Sequence, residues 1–188
     1  MSTGKIVKCG NEAQEKVIEG VIKSAEVIKR TLGPSGRGVI IGNEYGAPEI
    51  SRDGATCAKS ISFKDQEMNM GAQLLKKAAE LTEKQAGDGT STCSVLTEEF
   101  IKRGQKAIQT GANVNEIKAG MIKARNWVEN YIKANSIKIE GDLEKIRKVA
   151  TISANNDSEV GDLIVDCMKK VGESGVITSD LASGLETV

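Results

Sequence analysis

The sequence predicts a mainly α-helical fold with short β-hairpins. Three observations carry that reading. Apolar residues recur three and four apart over several long stretches. The β-branched runs are only about three residues long. Glycine, proline or clustered hydroxyl residues close each helical stretch.

Taken in order, residues 12–32 place Ala13, Val17, Ile18, Val21, Ile22, Ala25, Ile28 and Leu32 on one face, with Asn11 as a cap. Gly33-Pro34 stops this helix, because proline cannot continue the hydrogen-bond ladder. Val39-Ile40-Ile41, the turn-rich stretch from Gly42 to Pro48 and a second run around Ile50 predict a hairpin. A second helix runs from about Glu67 to Gln85, with Met70, Leu74, Leu75, Ala78, Ala79 and Thr82 along one side. A third follows Thr92 through Val95, Leu96, Phe100, Ile101, Ala107 and Ile108. A fourth spans about Asn115 to Lys133, and a shorter one Asp142 to Ala150. Asp157 or Ser158 caps a last helix that would bury Val160, Leu163, Ile164, Cys167 and Val171. Val176-Ile177-Thr178 reads as a closing strand.

Composition excludes several functions. The 188 residues hold 26 basic and 26 acidic side chains and no histidine. A balanced charge lacks the clustered basic excess of a nucleic-acid binder. Without histidine, Ser-His-Asp and Cys-His catalysis and two-Cys, two-His zinc sites are ruled out within these residues. Aromatics make up 3%, too few for stacking platforms. Cys9, Cys57, Cys93 and Cys167 form no CxxC pair, and each reads as a small buried hydrophobe in a reducing compartment. No run approaches the ~20 apolar residues of a membrane span, and the N-terminus carries no leader-like apolar stretch. The expectation is a soluble intracellular protein, without nucleic-acid or membrane partners.

The most informative segment is Ala86-Gly87-Asp88-Gly89-Thr90-Ser91-Thr92. Its glycines let the backbone approach a ligand, and three hydroxyl residues then open a helix whose unpaired N–H groups favour an anion. Asp88 would repel a bare phosphate but suits a divalent cation lying between them, as magnesium is commonly held. No Gly-Lys-Ser/Thr follows, so this is not a Walker A loop. On the residues alone, an ordinary capped loop explains the segment equally well. Thr31-Leu32-Gly33-Pro34-Ser35-Gly36-Arg37-Gly38 is a second glycine-rich break, and Ser51-Arg52-Asp53-Gly54 a third loop that reads by itself as a turn. Convergence of the three on one nucleotide is the working hypothesis.

TLGPSGRGVII, YGAPEISRDGATCAKSI, NMGAQLL, AGDGTSTCSVL, the GAN at 111–113, VATISANNDSEVGDLI and KVGESGVIT together resemble group I chaperonin subunits of the GroEL type, in order from Lys5 to Leu185. The resemblance implies a chaperonin equatorial-domain-like helical fold plus part of an intermediate domain. Residues 1–136 would be the first half of the ATP-binding equatorial domain, and 137–188 the first segment of the intermediate hinge domain. In the family, the chain continues into a client-binding apical domain and returns through both lower domains.

The resemblance also implies the cofactors ATP and Mg2+. Thr31, Leu32, Gly33 and Pro34 would line the nucleotide. Asp88, Gly89, Thr90, Ser91 and Thr92 would hold its phosphates, with Asp88 on magnesium. Arg52, Ile152 and Ser153 would lie near the nucleotide, and Asp53 near the γ-phosphate as a catalytic residue. Its partner aspartate belongs to the returning intermediate segment, so these residues alone would turn over little ATP. Two departures stand out. Arg52 occupies the family's usual lysine position, and a guanidinium fork is not an ammonium point charge. Ser91 replaces a middle threonine and keeps the hydroxyl.

The hairpin would add to the sheet of a neighbouring subunit in a homo-oligomeric ring, heptameric by resemblance. A GroES-like co-chaperonin and unfolded client proteins would be partners of the full-length form. Localisation would be cytoplasmic, or the mitochondrial matrix or a related organelle, since CAKSI and CMKKVG resemble mitochondrial members too. A different reading makes the 188 residues a stand-alone interaction module with weak nucleotide binding and no hydrolysis. A redox effect of Cys57 and Cys93 on ATP binding stands beside their plainer reading as packing residues.

Overall fold

The helical periodicity between Asn11 and Lys29 forms α1 (Asn11–Lys29). The structure is a computed structural model that describes residues 7–33, 35–42, 46–139, 141–154, 156–172 and 175–178. After α1 come β1 (Val39–Ile41), β2 (Glu49–Ser51), α2 (Gly54–Ser60), α3 (Gln66–Ala86) and α4 (Thr90–Gln109). α5 (Val114–Asn135), α6 (Leu143–Ser153) and α7 (Ser158–Val171) complete the order. The chain divides into two compact units, Met1–Ile122 and Lys123–Val188.

In the first unit α1 packs against α3 and α4, with α2 wedged between them. The core holds Val21, Ala25, Ile28, Cys57, Ala58, Leu75 and Ala79, joined at its margin by Val39, Ile61 and Ile101. Two glycines bring α1 and α3 together backbone to backbone. A Cβ on Gly20 would lie 2.0 Å from the Met68 carbonyl oxygen, and one on Gly71 would lie 2.1 Å from that of Val17. Any side chain there forces the helices apart. Asp65 caps α3 by accepting the Met68 N–H at 3.0 Å, and Lys16 of α1 reaches the same carboxylate at 3.2 Å.

β1 and β2 pair antiparallel in the register Val39↔Ser51, Ile40↔Ile50 and Ile41↔Glu49. They form the hairpin that the sequence predicts. It is the one sheet among the described residues, where short β-hairpins and a closing strand were expected. Val176-Ile177-Thr178 takes no strand conformation there, because a β-branched triplet without a neighbour to pair with has no ladder to join.

In the second unit α6 packs on α7. Gly161 permits it, since a Cβ there would lie 2.1 Å from Thr151 Oγ1. Arg147 of α6 also forks onto both carboxylate oxygens of Asp162, with its Nη2 at 3.2 Å. Asp142 caps α6 and Asp157 caps α7. The two buried residues of α7 are Gly161 and Val165, whereas Val160, Leu163 and Val171 are exposed, contrary to the expected face. No residue of α5 is buried, and Trp127 stacks on Tyr131 with ring centroids 5.6 Å apart.

Other differences have local causes. Gly10 rather than Asn11 occupies the cap position of α1, and no side chain bonds there. α2 is an added helix where the sequence suggested only a turn. Its seven residues are too short for a periodicity to register. In α3, Met70 and Leu74 are exposed while Gly71, Ala72, Leu75 and Ala79 are buried, because the glycine contact rotates the covered face toward the small residues. Of the cysteines, Cys57 alone is fully buried and Cys9 is exposed. Among the described residues no helix is long and apolar enough to cross a membrane.

Candidate functional site

Three loops meet at the first turn of α4. The first leaves α1 by successive tight turns: the N–H groups of Arg30, Thr31 and Leu32 donate to carbonyls three residues back. Gly33 then takes a positive φ of 81°, and Arg37 N–H returns to the Arg30 carbonyl at 2.8 Å, closing the loop. Thr31 Oγ1 donates to the Ile28 carbonyl at 2.7 Å and lies 3.3 Å from Ser91 Oγ. Leu32 and Gly33 are exposed, and Pro34 lies outside the described residues.

The second loop joins β2 to α2. Asp53 caps α2: its Oδ2 accepts both the N–H and the hydroxyl of Thr56, each at 2.7 Å. Partial burial pushes the Asp53 carboxyl upward. The Thr56 bonds, the Ala55 N–H and the Lys59 charge outweigh that and hold it below the ordinary carboxylate range. A carboxylate kept ionised in this way is a weak base, better suited to holding a cation or orienting water than to taking a proton. Gly54 then presses on α4, since a Cβ there would lie 2.2 Å from Ser91 Oγ and 3.1 Å from Thr90 Oγ1. Arg52 is exposed, and its aliphatic stem lies beside Gly38.

The third loop is the Gly87–Gly89 break. Both glycines adopt left-handed backbone, φ 73° and 88°, which side chains other than glycine resist. Between them Asp88 is exposed, and its Oδ1 accepts the Gly89 N–H at 2.6 Å. α4 then begins with Gly89 at its cap position and no side-chain cap. The first-turn N–H groups of Thr90, Ser91 and Thr92 therefore have no intrahelical partner, at the positive end of the helix dipole. Thr90 is buried, Ser91 half-buried and Thr92 exposed.

The structure thus brings Thr31, Gly54 and Ser91 together, with Asp53 and Asp88 on the adjoining loops. Ile152 and Ser153 belong to the second unit, where both are exposed in the last turn of α6. Sequence reasoning missed Gly54 and Thr56. Thr56 was detectable as a hydroxyl three residues after an aspartate, the spacing of a helix cap. Gly54 gave no signal beyond a common turn glycine.

Among the described residues no three acidic or cysteine side chains cluster. Asp88, exposed beside the uncapped helix start, nevertheless fits magnesium bound largely through phosphate oxygens, a mode that needs only one or two protein carboxylates. The uncapped α4 terminus supplies what a phosphate requires.

A sequence model of the TCP-1/cpn60 chaperonin family matches residues 25–183, most of the chain. The chain belongs to the TCP-1/cpn60 chaperonin family. A solved structure of a group III chaperonin in the open state agrees at a TM-score of 0.71 and 25% identity, over 85% of this chain and 32% of the other. The chain therefore spans about a third of that chaperonin's length. Family membership and likeness of fold agree with the chaperonin equatorial-like helical architecture expected from the motifs.

Proposed function

We propose that this chaperonin chain binds Mg-ATP at the first turn of α4, as the nucleotide-holding segment of a group I-type subunit that assists protein folding in a ring. One observation carries the reading: three loops far apart in sequence meet where α4 offers uncapped N–H groups, with Thr31 3.3 Å from Ser91 and Gly54 against both hydroxyls. In this reading Thr90, Ser91 and Thr92 bind phosphate oxygens, and Gly87 and Gly89 shape the loop that lets them. Thr31, Leu32, Gly33 and Pro34 line the nucleotide. Asp88 holds the magnesium, which when bound neutralises phosphate charge. Asp53, held ionised, orients the attacking water, and Arg52 adds positive charge nearby.

Residues 1–136 would then serve as the first equatorial half and 137–188 as the first intermediate segment, to which the nucleotide-binding candidates Ile152 and Ser153 belong. ATP hydrolysis, ring partners, a co-chaperonin and unfolded clients belong to the whole subunit, and its site of action would be the cytoplasm.

Thermal melting with and without Mg-ATP tests the site. A nucleotide at a hundredfold excess over its Kd should stabilise the fold by about 2.7 kcal/mol. Asp88→Ala should lose most of that gain while melting normally without nucleotide. No protection at millimolar Mg-ATP would sink the proposal.

A further inference from the structure

Glu98 is the most deeply buried acid among the described residues, at 0% exposure, and the proposed chemistry does not use it. Two lysines reach it. Lys102, one turn further along α4, pairs with Oε1, and Lys29, the last residue of α1, lies 3.5 Å from Oε2. Oε2 is otherwise without a hydrogen-bond partner among the described residues, so the Lys29 charge is what holds it. A buried carboxylate is a poor way to gain stability, because apolar packing of the same volume usually does as well. What it adds is a specified geometry.

The positions state what is specified. Seven residues separate Ser91 from Glu98, two turns of helix, so both lie on one face of α4. Their partners are Thr31, in the loop that leaves α1, and Lys29, the last residue of α1, two residues apart. The two contacts therefore pin the end of α1 along one face of α4, one at the proposed phosphate turn and one deeper in the fold.

We infer that Glu98 is a positioning residue: through Lys29 it holds the end of α1 so that Thr31 stays against Ser91. The functional consequence rests on the Mg-ATP reading above, whereas the positioning itself does not. The two lysines separate this role from general stability. Loss of Lys29 must free the loop, but loss of Lys102, whose hydrogen bond stays within α4 and which meets α1 only through the Glu26 charge, must free it far less.

Hydrogen exchange on the purified protein, without nucleotide, reads the loop through the amides of Thr31, Gly36 and Arg37, each of which donates to a loop or helix carbonyl. Lys29→Met should speed their exchange about tenfold, leave α3 amides unchanged, and weaken Mg-ATP binding by about tenfold, the weight of one charge-assisted contact. Lys29→Arg, which keeps the cation, should restore both, and Lys102→Met should alter both far less than Lys29→Met does. Glu98→Gln should resemble Lys29→Met if it folds. Unchanged loop exchange in Lys29→Met, or an equal effect from Lys102→Met, overturns the inference. Absence of Mg-ATP binding by the unmodified protein defeats the nucleotide reading alone, and the exchange results still decide the positioning role.

Discussion

α1 meets α3 and α4 by opposite means. Against α3 it closes backbone to backbone at Gly20 and Gly71, over a core in which Val21, Ala25, Ile28, Leu75 and Ala79 are buried. On α4 the buried residues are Thr90, Ser94 and Glu98, a polar stripe recurring once per turn. Ser94 satisfies its hydroxyl on the Thr90 carbonyl at 2.9 Å, and Glu98 is matched by two lysines. Of the apolar residues of α4, Leu96, Phe100 and Ile108 are exposed and Ile101 reaches only the margin of the core. One contact derives its strength from burial. The other is directional, and it leads to the loops of the proposed site.

The sharpest way to break the comparison is to attack the apolar side. Leu75 is 1% exposed. Leu75→Ala should cost about 2–5 kcal/mol, the range for emptying a tightly packed aliphatic site. Denaturant unfolding measures it. A cost below about 1 kcal/mol would mean the α1–α3 core is not the seat of stability.

That contrast also explains what could be read from the sequence. The covered face of α1 was legible, because Val21, Ala25 and Ile28 follow the helical period and the structure buries all three. So were the hairpin and the cap at Asp157, since turn and cap chemistry is local. The docking face of α4 was not legible. Thr90, Ser94 and Glu98 look like a solvated stripe, and only a partner on another helix, Lys29, makes burial tolerable. Periodicity pointed instead to Leu96 and Phe100, because it identifies an apolar face without saying what covers it. The motifs of the site loops could be read one by one. Their meeting at Ser91 depends on Gly54, whose need for close approach exists only in three dimensions.

A smaller effect sharpens the polar side of α1. Asp65 caps α3 and pairs with Lys16 of α1, and its carboxyl is lowered to about 2. The Met68 N–H is the chief cause, partial burial opposes it, and the Lys16 bond adds to the lowering. The group is depressed in the folded state relative to about 3.9 in an unfolded chain. Its contribution is therefore complete above the unfolded value and fades as pH falls through the folded one. Melting temperature should decline between about pH 4 and about pH 2, and Asp65→Asn should flatten that decline. An identical slope in both proteins would show that the Asp65 contacts do not persist in solution.

The smallest effect belongs to the outer face of α4. Phe100 is 52% exposed and lines a groove of about 600 Å³ with Val17, Ile18, Leu74, Ile101 and Ile108. Because half of the residue's surface already meets water, Phe100→Ser should change the stability of these 188 residues by less than about 0.5 kcal/mol, despite removing the largest apolar side chain on the helix. Leu75 and Phe100 would then differ severalfold in cost, although the sequence alone assigns both to apolar helix faces. A loss from Phe100→Ser approaching that of Leu75→Ala would show that this face is covered in solution, and that α4 docks through its apolar residues as well as through the polar stripe.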